Sequence, residues 1–425
     1  MNRKRVVVTG MGVIAPGATG LKEFHNLLYH STSGIKKIDE LVELNFRCKI
    51  GGICSLNIDE LRNKYPILNI PIISRSTFLL VQATEEALNN SGFNIGSEIL
   101  EKLNPDIIIG STTGAIDVWH DKVIPYVDKG KHLKLGSYAF EQVIFSSPSA
   151  ILSGIIGTKG RVISNSLACA SSTEAIAEAF FRIKNGDNKI IIAGGYEPYS
   201  KYYWSTMDAM KIITPNHNDK PTKASRPMSA SSHGFVPAEG AGILILEELE
   251  HAQKRGANIL AEIISSHVNS GGQRNGGSMT ASNYEKLKNC IEITIKKSNI
   301  SPKEIKYISG HLTGTKADSL EIKAWKEALN LNKQNFPYIN STKSLIGHTM
   351  GACGAIEIVA CIIQMRNKFI HASINCEDLH PEIEKTISKN SIPFKRIDNV
   401  DIDYTIKANF GFGDVNACLL LKNIR

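Results

Sequence analysis

The sequence lacks a long apolar run, a paired-cysteine motif and a concentrated block of one charge. No stretch of about 18 consecutive apolar residues occurs, so no membrane-spanning helix is predicted. The eight cysteines are scattered singly without a CxxC pair, which argues against a zinc site or a disulfide framework. The net charge of +8 is dispersed, and no basic block interleaved with aromatic residues predicts nucleic-acid binding. A basic face would equally suit an acidic protein or an anionic carrier.

The N-terminus superficially imitates a secretory signal, because Lys4 and Arg5 precede an apolar segment. That segment is short, is broken by glycines and is not followed by a convincing small-residue cleavage site. We therefore interpret residues 5–10 as a buried first strand and expect a cytoplasmic protein. With 42% hydrophobic and 21% charged residues, the 425-residue chain has the composition of a globular protein with two or more core-sized units.

Predicted strands and helices alternate along the chain. Strands at residues 106–110 and 189–193 flank helical segments, and a helix over residues 282–298 precedes a strand at residues 305–309. This alternation predicts a layered α/β fold. Each half contains a strand, a loop rich in glycine or threonine and a reactive-looking residue, which hints at an internal duplication. The polar stretch over residues 199–236 is predicted to form a cap or a wall of the site.

The segment SNSLACASS at residues 164–172 centres on Cys169. A short β-branched segment precedes it and apolar residues recur at helical spacing after it, so Cys169 is predicted at a strand-to-helix junction. Free backbone N–H groups and the positive end of a helix dipole favour a thiolate at such a junction. The small neighbours Ala168 and Ala170 leave room for a substrate. The alternative from this segment alone is a structural thiol in an alanine-rich helix.

Three further stretches contain candidate site residues, and each is weak by itself. SGHLTGTKAD contains His311, NSTKSLIGHTMGACGAIE contains Lys343 and His348, and NFGFGDVN forms a glycine-aromatic turn. A lone histidine at a strand end is more often structural, and Lys343 could be a surface charge. However, all these segments fall at predicted strand ends or helix starts, where α/β proteins place their sites. One thiol and two imidazoles then suffice for nucleophilic catalysis.

In their order along the chain, these motifs resemble those of the β-ketoacyl-acyl-carrier-protein synthases, of the synthase II type with a Cys-His-His site. The resemblance spans essentially the whole chain, through RVVVTGMGVIAP, ACASS, ASRPMSASSHGFVPAEGAGILILEE, HLTGT, STKSLIGHTMGACGAIE and NFGFGDVNA. It implies the thiolase fold, in which duplicated βαβαβαββ halves form a five-layer αβαβα arrangement. We therefore expect an N-terminal half over residues 1–255, with the cysteine and cap insertions, and a C-terminal half over residues 256–425, with both histidines.

The resemblance also implies roles for individual residues. Cys169 matches the acyl-accepting nucleophile, and His311 and His348 match the two catalytic histidines. Lys343 matches the lysine that supports the network of His348, and Glu357 matches the glutamate partner of that lysine.

Three more residues match supporting positions of the family. Phe412 matches the aromatic gatekeeper of the acyl pocket, and its backbone N–H is expected to form the oxyanion hole with that of Cys169. Thr313 and Thr315 match the threonines that position the phosphopantetheine arm of acyl carrier protein. Because the substrates travel on that arm, no metal or redox cofactor is implied.

The implied reaction is a decarboxylative Claisen condensation of an acyl-enzyme thioester with malonyl-acyl carrier protein, which gives β-ketoacyl-acyl carrier protein and carbon dioxide. It would serve fatty acid or specialised polyene or polyketide biosynthesis. The expected partners are acyl carrier protein and a second copy of the chain in a homodimer, or a related subunit in a heterodimer, without nucleic acid or membrane. Candidate lysines for docking the carrier are Lys129, Lys131, Lys134 and Lys211.

Two other functions are weighed against this one. A non-catalytic chain-length partner normally lacks the cysteine, so the retention of Cys169 with both histidines argues against it. A thiolase uses a second cysteine near the C-terminus as base. Cys418 is the only candidate for that base, and its apolar surroundings, ACLLL, predict a core position instead.

Five positions depart from the family pattern and suggest a diverged branch, such as the ketosynthases of polyene or aryl-polyene pathways. Leu312 replaces a glycine, Asp414 and Val415 replace glycine and threonine, and Ser229 and His233 replace two aspartates. We therefore expect a different buried charge network near the serine. Asp414 either alters the mobility of the gatekeeper loop and the polarity of the pocket or is a solvated loop residue.

Overall fold

One continuous sheet of ten long strands forms the framework of the fold. The structure is a computed structural model that describes residues 3–424. A short strand, Ala18–Thr19, pairs with the first long strand. The long strands, in chain order, are β1 Val6–Ala15, β2 Asp106–Gly110, β3 Val162–Asn165, β4 Ile190–Glu197, β5 Gly240–Glu248, β6 Ala261–Ser270, β7 Ile305–Ser309, β8 Tyr338–Asn340, β9 Tyr404–Gly411 and β10 Val415–Asn423.

The same strand arrangement occurs twice. The first half has the order β3-β2-β4-β5-β1 and the second half has the order β8-β7-β9-β10-β6. In each half the first three strands are parallel, and the fourth strand pairs antiparallel with the third and with the fifth. The halves join where β1 pairs with β6. This repetition agrees with the internal duplication, and the boundary at residue 255 stays a prediction.

Helices cover the sheet on both faces and fill the space between the halves. The helices of nine or more residues are α1 Leu21–His30, α2 Arg75–Asn90, α3 Ser147–Ile156, α4 Ser171–Asn185, α5 Lys201–Ala209, α6 Tyr284–Ser298, α7 Ala317–Leu329 and α8 Cys353–Asn367. Shorter α-helices span Asp39–Glu43, Ile58–Lys64, Glu98–Leu103, Ile116–Val118, Ile124–Asp128, Ser137–Val143, Leu249–Lys254, Lys343–Ile346 and Pro381–Thr386. Two short strand pairs join Lys36–Lys37 to Ile50–Gly51 and Phe369–Ile370 to Ile397–Asp398.

The helix pair α4 and α8 forms the central layer. Every residue of α8 from Cys353 to Met365 is buried, as expected for a helix that is surrounded by protein on all sides. One apolar cluster joins this pair to strands of both halves, and it includes Ile191 and Ala193 of β4. Their neighbours Ile190 and Ile192 point to the opposite face and pack with α2. The sheet is therefore buried on both faces.

The predicted strands and helices occur close to their predicted positions, with differences at their ends. The strand predicted at residues 5–10 continues to Ala15, because its further residues are also buried. The stretch over residues 199–236 is not wholly irregular, since it contains α5, whose Trp204 and Met207 are buried. Over residues 3–424, no single helix is long and apolar enough to cross a membrane. One pair of helices, Ser137–Val143 and Ser147–Ile156, meets the length and composition criteria together, with a bend of 102° between them.

Candidate active site

The candidate residues converge because equivalent strands of the two halves end at the same place. Cys169 follows β3 and lies just before α4, while His311 follows β7. Lys343 follows β8 and begins the short helix before His348. In an α/β sheet, the carboxyl ends of parallel strands are where such residues meet. Segments that are far apart in sequence therefore contribute to one site.

Cys169 sits on a tight turn between strand and helix. Ala168 before it has a φ of 47°, which is unusual for a residue with a side chain. The Ser171 hydroxyl donates to the backbone oxygen of Ala168 at 2.6 Å and accepts the N–H of Leu167 at 2.8 Å. These hydrogen bonds hold the turn in the conformation that presents the half-buried sulfur.

The structure brings the three predicted catalytic side chains together. His348 Nε2 lies 3.1 Å from Cys169 Sγ, and the rings of His311 and His348 are 5.3 Å apart at an angle of 81°. Phe235 contacts the His348 ring edge-on, and the N–H of His348 donates to the backbone oxygen of Val236 at 2.8 Å. The end of the polar stretch over residues 199–236 thus forms a wall of the site, as predicted.

Burial disfavours the charged forms of all three side chains. Burial raises the pKa of the Cys169 thiol to about 12, against a smaller opposing effect of the Lys343 charge. The helix start is expected to favour the thiolate, but desolvation acts in the opposite direction and is the larger effect on the pKa. Burial and then the Lys343 charge also lower the pKa of His311 and of His348 well below the usual value. A neutral imidazole next to a thiol can accept the proton of that thiol during attack.

Lys343 and Glu357 form a buried ion pair whose hydrogen bonds lead to His311, while the Lys343 charge acts on both histidines. Both side chains are 1% exposed and in direct contact. The Asn409 amide nitrogen lies 3.2 Å from Glu357 Oε2 and 3.2 Å from His311 Nδ1. The resemblance implies that this pair supports the network of His348, and that role stays a prediction. If Nδ1 of His311 accepts from Asn409, the His311 proton is on Nε2.

Lys407 and Cys353 were missed in the sequence analysis, and Asn409 was included there only as part of the stretch NFGFGDVN. Lys407 is fully buried, and its Nζ lies 2.9 Å from Glu357 Oε2. Cys353 Sγ lies 3.2 Å from the backbone oxygen of Cys169 and accepts from Asn409. The sequence offered one signal for Lys407, because a charged residue within an apolar strand is unusual and this strand leads into NFGFG. Cys353 carried no distinguishing signal, since it is one of several cysteines in apolar surroundings.

The loop that carries His311 is held by a buried carboxylate. Glu321 accepts the N–H groups of His311 and Leu312, each at 2.7 Å, and its pKa is raised by burial to about 7. Leu312, which replaces the family glycine, is fully buried in the outer apolar cluster of the second half. The replacement therefore fills part of the core.

Thr313 and Thr315 lie next to each other at the end of this loop. Their hydroxyl oxygens are 3.0 Å apart, and both residues are half-buried. Asp318 accepts the N–H of Thr313 at 2.9 Å and of Gly314 at 3.0 Å. The backbone that carries the two hydroxyls is therefore held in place, and their contact with a phosphopantetheine arm stays a prediction.

Phe412 lies on the hairpin turn between β9 and β10, close to the cysteine loop. A Cβ on Gly411 would lie 2.6 Å from the backbone oxygen of Leu167 and 3.2 Å from the nitrogen of Ala170. The turn therefore packs directly against the neighbours of Cys169. Asp414 is 1% exposed, so its interpretation as a solvated loop residue is wrong.

A carboxylate from another segment faces Ser229, which replaces a family aspartate. Ser229 hydrogen-bonds to Asp378, and Arg226 lies 2.8 Å from the same carboxylate. The family pattern has an aspartate at position 229. In this chain, Asp378 supplies the negative charge next to Arg226 instead. His233 itself is exposed.

The structure also bears on Cys418 and on the capacity of the Cys-His-His group to hold a metal ion. Cys418 is fully buried in the outer cluster with Cys290, so it is a core residue, as predicted. The ligand atoms of Cys169, His311 and His348 lie within 4.8 Å of one another. That spacing would also suit one soft cation. We assign no metal to this group.

Comparison with known proteins identifies the relatives of the chain. Residues 3–252 match the family model for the N-terminal domain of β-ketoacyl synthases, and residues 260–377 match the model for the C-terminal domain. The 3-oxoacyl-acyl-carrier-protein synthase 2 of Vibrio harveyi is 30% identical over 434 residues, which cover 100% of both chains.

Two solved structures have the same fold over the whole chain. A β-ketoacyl synthase from Burkholderia phymatum STM815 superposes with a TM-score of 0.88 at 26% identity, covering 99% of this chain and 100% of the other. A type II polyketide ketosynthase, bound to a hexaketide and in complex with its acyl-carrier protein, superposes with a TM-score of 0.86 at 26% identity and the same coverage. These similarities confirm the expected thiolase fold.

Proposed function

We propose, because this chain belongs to the β-ketoacyl synthase family and is a condensing acyltransferase, that Cys169, His311 and His348 carry out its reaction. The observation that carries the proposal is the 3.1 Å contact between Cys169 Sγ and His348 Nε2, with His311 beside it. A thiol, a base that contacts it and a second imidazole are what acyl transfer followed by decarboxylation requires.

In the first step, Cys169 Sγ attacks the carbonyl of an acyl thioester. His348 Nε2 takes the thiol proton during the attack and passes it to the departing thiolate of the carrier. The free Cys169 thiolate, which the high pKa of the thiol disfavours, therefore does not have to form first. The new thioester then holds the acyl group on the enzyme. Backbone N–H groups of Cys169 and Phe412 are proposed to bind the oxyanion during this attack.

In the second step, a malonyl thioester loses carbon dioxide and becomes an enolate. The Nε2–H of His311, set by the contact of Nδ1 with Asn409, donates to the enolate oxygen. His348 Nδ1 has no hydrogen-bond partner within residues 3–424, so neither nitrogen of the ring is fixed as the protonated one. With its proton on Nδ1, His348 accepts at Nε2 in the first step, and with its proton on Nε2 it can donate to the enolate oxygen in the second. The enolate carbon attacks the acyl carbonyl, the C–S bond to Cys169 breaks, and the leaving thiolate takes up one proton that enters from water through His348.

The proposed carrier of both substrates is acyl carrier protein. The relatives support this choice, since one is named for that carrier and another was solved in complex with one. Thr313 and Thr315 would contact the phosphopantetheine arm, and no resident cofactor is needed for these steps. The lysines proposed to attract the acidic carrier are all exposed: Lys129, Lys131, Lys134 and Lys211.

We also propose that a second copy of the chain covers the edge of β3. This strand ends the sheet, and its Val162 is 38% exposed. In the segment between β2 and β3, Trp119, Leu133 and Phe140 are exposed as well, with Leu133 at 88%. An unpaired strand edge and exposed apolar side chains both favour association with another chain. Native mass spectrometry should show a dimer. A monomer would contradict pairing with a second copy and would favour a related subunit as the partner.

The test of the function is the intact mass of the protein after incubation with a panel of acyl-carrier thioesters. We expect one acyl mass on Cys169, and a β-ketoacyl carrier product once malonyl carrier is added. Cys169→Ala should accept no acyl group. Condensation by that variant would refute the nucleophile. A wild-type protein that no donor acylates would refute the function and favour the chain-length partner. The preferred acyl group also tests the proposed polyene or polyketide branch.

A further inference from the structure

A buried aspartate holds an otherwise exposed loop. Asp414 is 1% exposed, while most of the loop that follows β6 is exposed. Its Oδ1 accepts the N–H of Asn283 at 2.7 Å, and its Oδ2 accepts the N–H of Gln273 at 3.0 Å. Its backbone oxygen accepts the N–H of Gly271 at 2.8 Å. One residue therefore holds both ends of the loop over residues 271–283.

The loop is shaped around this carboxylate. A Cβ on Gly271 or Gly277 would collide with the Asp414 carboxylate, so both positions need glycine for the observed contact. The turn adds a further hydrogen bond, from the N–H of Gly413 to the backbone oxygen of Met279 at 2.8 Å. The helix α6 begins directly after Asn283, and the positive end of its dipole favours a carboxylate there.

The held loop is attached to the turn that carries Phe412. Asp414 is two residues from Phe412, and Gly411 on the other side packs against Leu167 and Ala170. Movement of the turn away from the cysteine loop would therefore pull on the hydrogen bonds of Asp414. We propose that Asp414 is a positioning residue that ties the loop over residues 271–283 to the turn and so restricts the displacement of Phe412 over Cys169.

This inference rests on the proposed function, since Phe412 is taken as the gatekeeper of acyl access to Cys169. A long acyl group requires a larger displacement of the gatekeeper than a short one does. The tie should therefore slow acylation by long donors more than acylation by short donors. Asp414 replaces the glycine of the family pattern, so the restriction belongs to this chain rather than to the family in general.

The backbone at Asp414 permits clean substitutions. Its φ of 62° lies in the left-handed region, which glycine and asparagine tolerate. Asp414→Gly removes both carboxylate oxygens without adding strain. In Asp414→Asn, the amide oxygen can still accept one of the two N–H groups, of Gln273 or Asn283. The amide nitrogen, which is a donor, then faces the other N–H group. The matched control is Asn399→Gly, at an exposed position with a φ of 57°.

The first measurement is the rate of trypsin cleavage at Arg274, an exposed residue within the tied loop. A protease must open such a loop to cut it, so cleavage reports the opening equilibrium. Because hydrogen bonds to a charged acceptor are lost, we expect cleavage to be about tenfold faster in Asp414→Gly, with Asp414→Asn between it and the wild type. The Asn399→Gly control should match the wild type. Equal rates in all four proteins would overturn the tie.

The second measurement is the ratio of Cys169 acylation rates with a dodecanoyl and an acetyl carrier thioester. We expect this ratio to rise roughly threefold or more in Asp414→Gly, since release of the turn favours the larger displacement. Faster cleavage with an unchanged ratio would overturn the restriction of Phe412. If the glycine variant does not fold, as shown by its thermal unfolding, Asp414→Asn decides both measurements. A wild type that is never acylated would overturn the proposed function, while the cleavage rates would still decide the tie.

Discussion

Lys407 Nζ lies 2.9 Å from Oε2 of Glu357, inside a core where both side chains are at most 1% exposed. The other oxygen of the same carboxylate contacts Lys343. Two buried cations therefore share one buried anion. Burial by itself raises the pKa of Glu357, but the charges of the two lysines outweigh burial and lower it. The surplus positive charge lies next to both catalytic imidazoles and disfavours their protonation.

The first prediction concerns this surplus charge. In Lys407→Met, Glu357 keeps Lys343 as partner, so the buried carboxylate is not left unpaired. The positive charges of Lys343 and Lys407 both add to the effect of burial in lowering the pKa of His348. With Lys407 removed, the histidine pKa values should rise. Protonation would then begin at higher pH, and the acid limb of malonyl-carrier decarboxylation should move to higher pH.

The measurement is the pH dependence of carbon dioxide release from malonyl carrier, with exposed Lys395→Met as the control. A lysine with only a packing role would lower the rate at every pH equally. An acid limb at the wild-type position would therefore count against the electrostatic role.

The second prediction concerns the reactivity of the nucleophile. Burial raises the pKa of Cys169 to about 12, so only a small thiolate fraction exists near neutral pH. Because the thiolate is the reactive form, alkylation by iodoacetamide should accelerate roughly tenfold per pH unit from pH ~7 to ~10. Peptide mass spectrometry of Cys169 after timed alkylation measures this rate. A plateau below pH ~8 would show instead that the helix start and the nearby histidine stabilise the thiolate.

The third prediction separates the two histidines. His311 does not contact Cys169 by a hydrogen bond, whereas His348 does. His311→Ala should therefore lower decarboxylation by ~10²–10³-fold, the usual effect of losing one oxyanion donor, and slow acylation much less. His348→Ala should impair both steps. Separate assays of acyl mass on Cys169 and of carbon dioxide release measure the two steps, with exposed His132→Ala as control. An equal loss of both steps in His311→Ala would contradict the assigned role.

The alternation of apolar segments was enough to predict a layered α/β fold and most of its strands. Segments such as Asp106–Gly110 and Ile305–Ser309 form the predicted strands, because they are short, apolar and bounded by turn residues. The ordered motifs were enough to select Cys169, His311 and His348 before any distance was known. These properties depend on residue type and local order, which a sequence contains directly.

The protonation of the site and the role of Asp414 depended on the tertiary structure. The local sequence around Cys169 predicts a stabilised thiolate, yet burial by distant segments raises its pKa. Lys407 becomes part of the site only because β9 runs beside α8, which carries Glu357. Asp414 is buried only because the loop after β6 folds over it. Desolvation and contacts between distant segments set these properties, and neither is determined until the chain is folded.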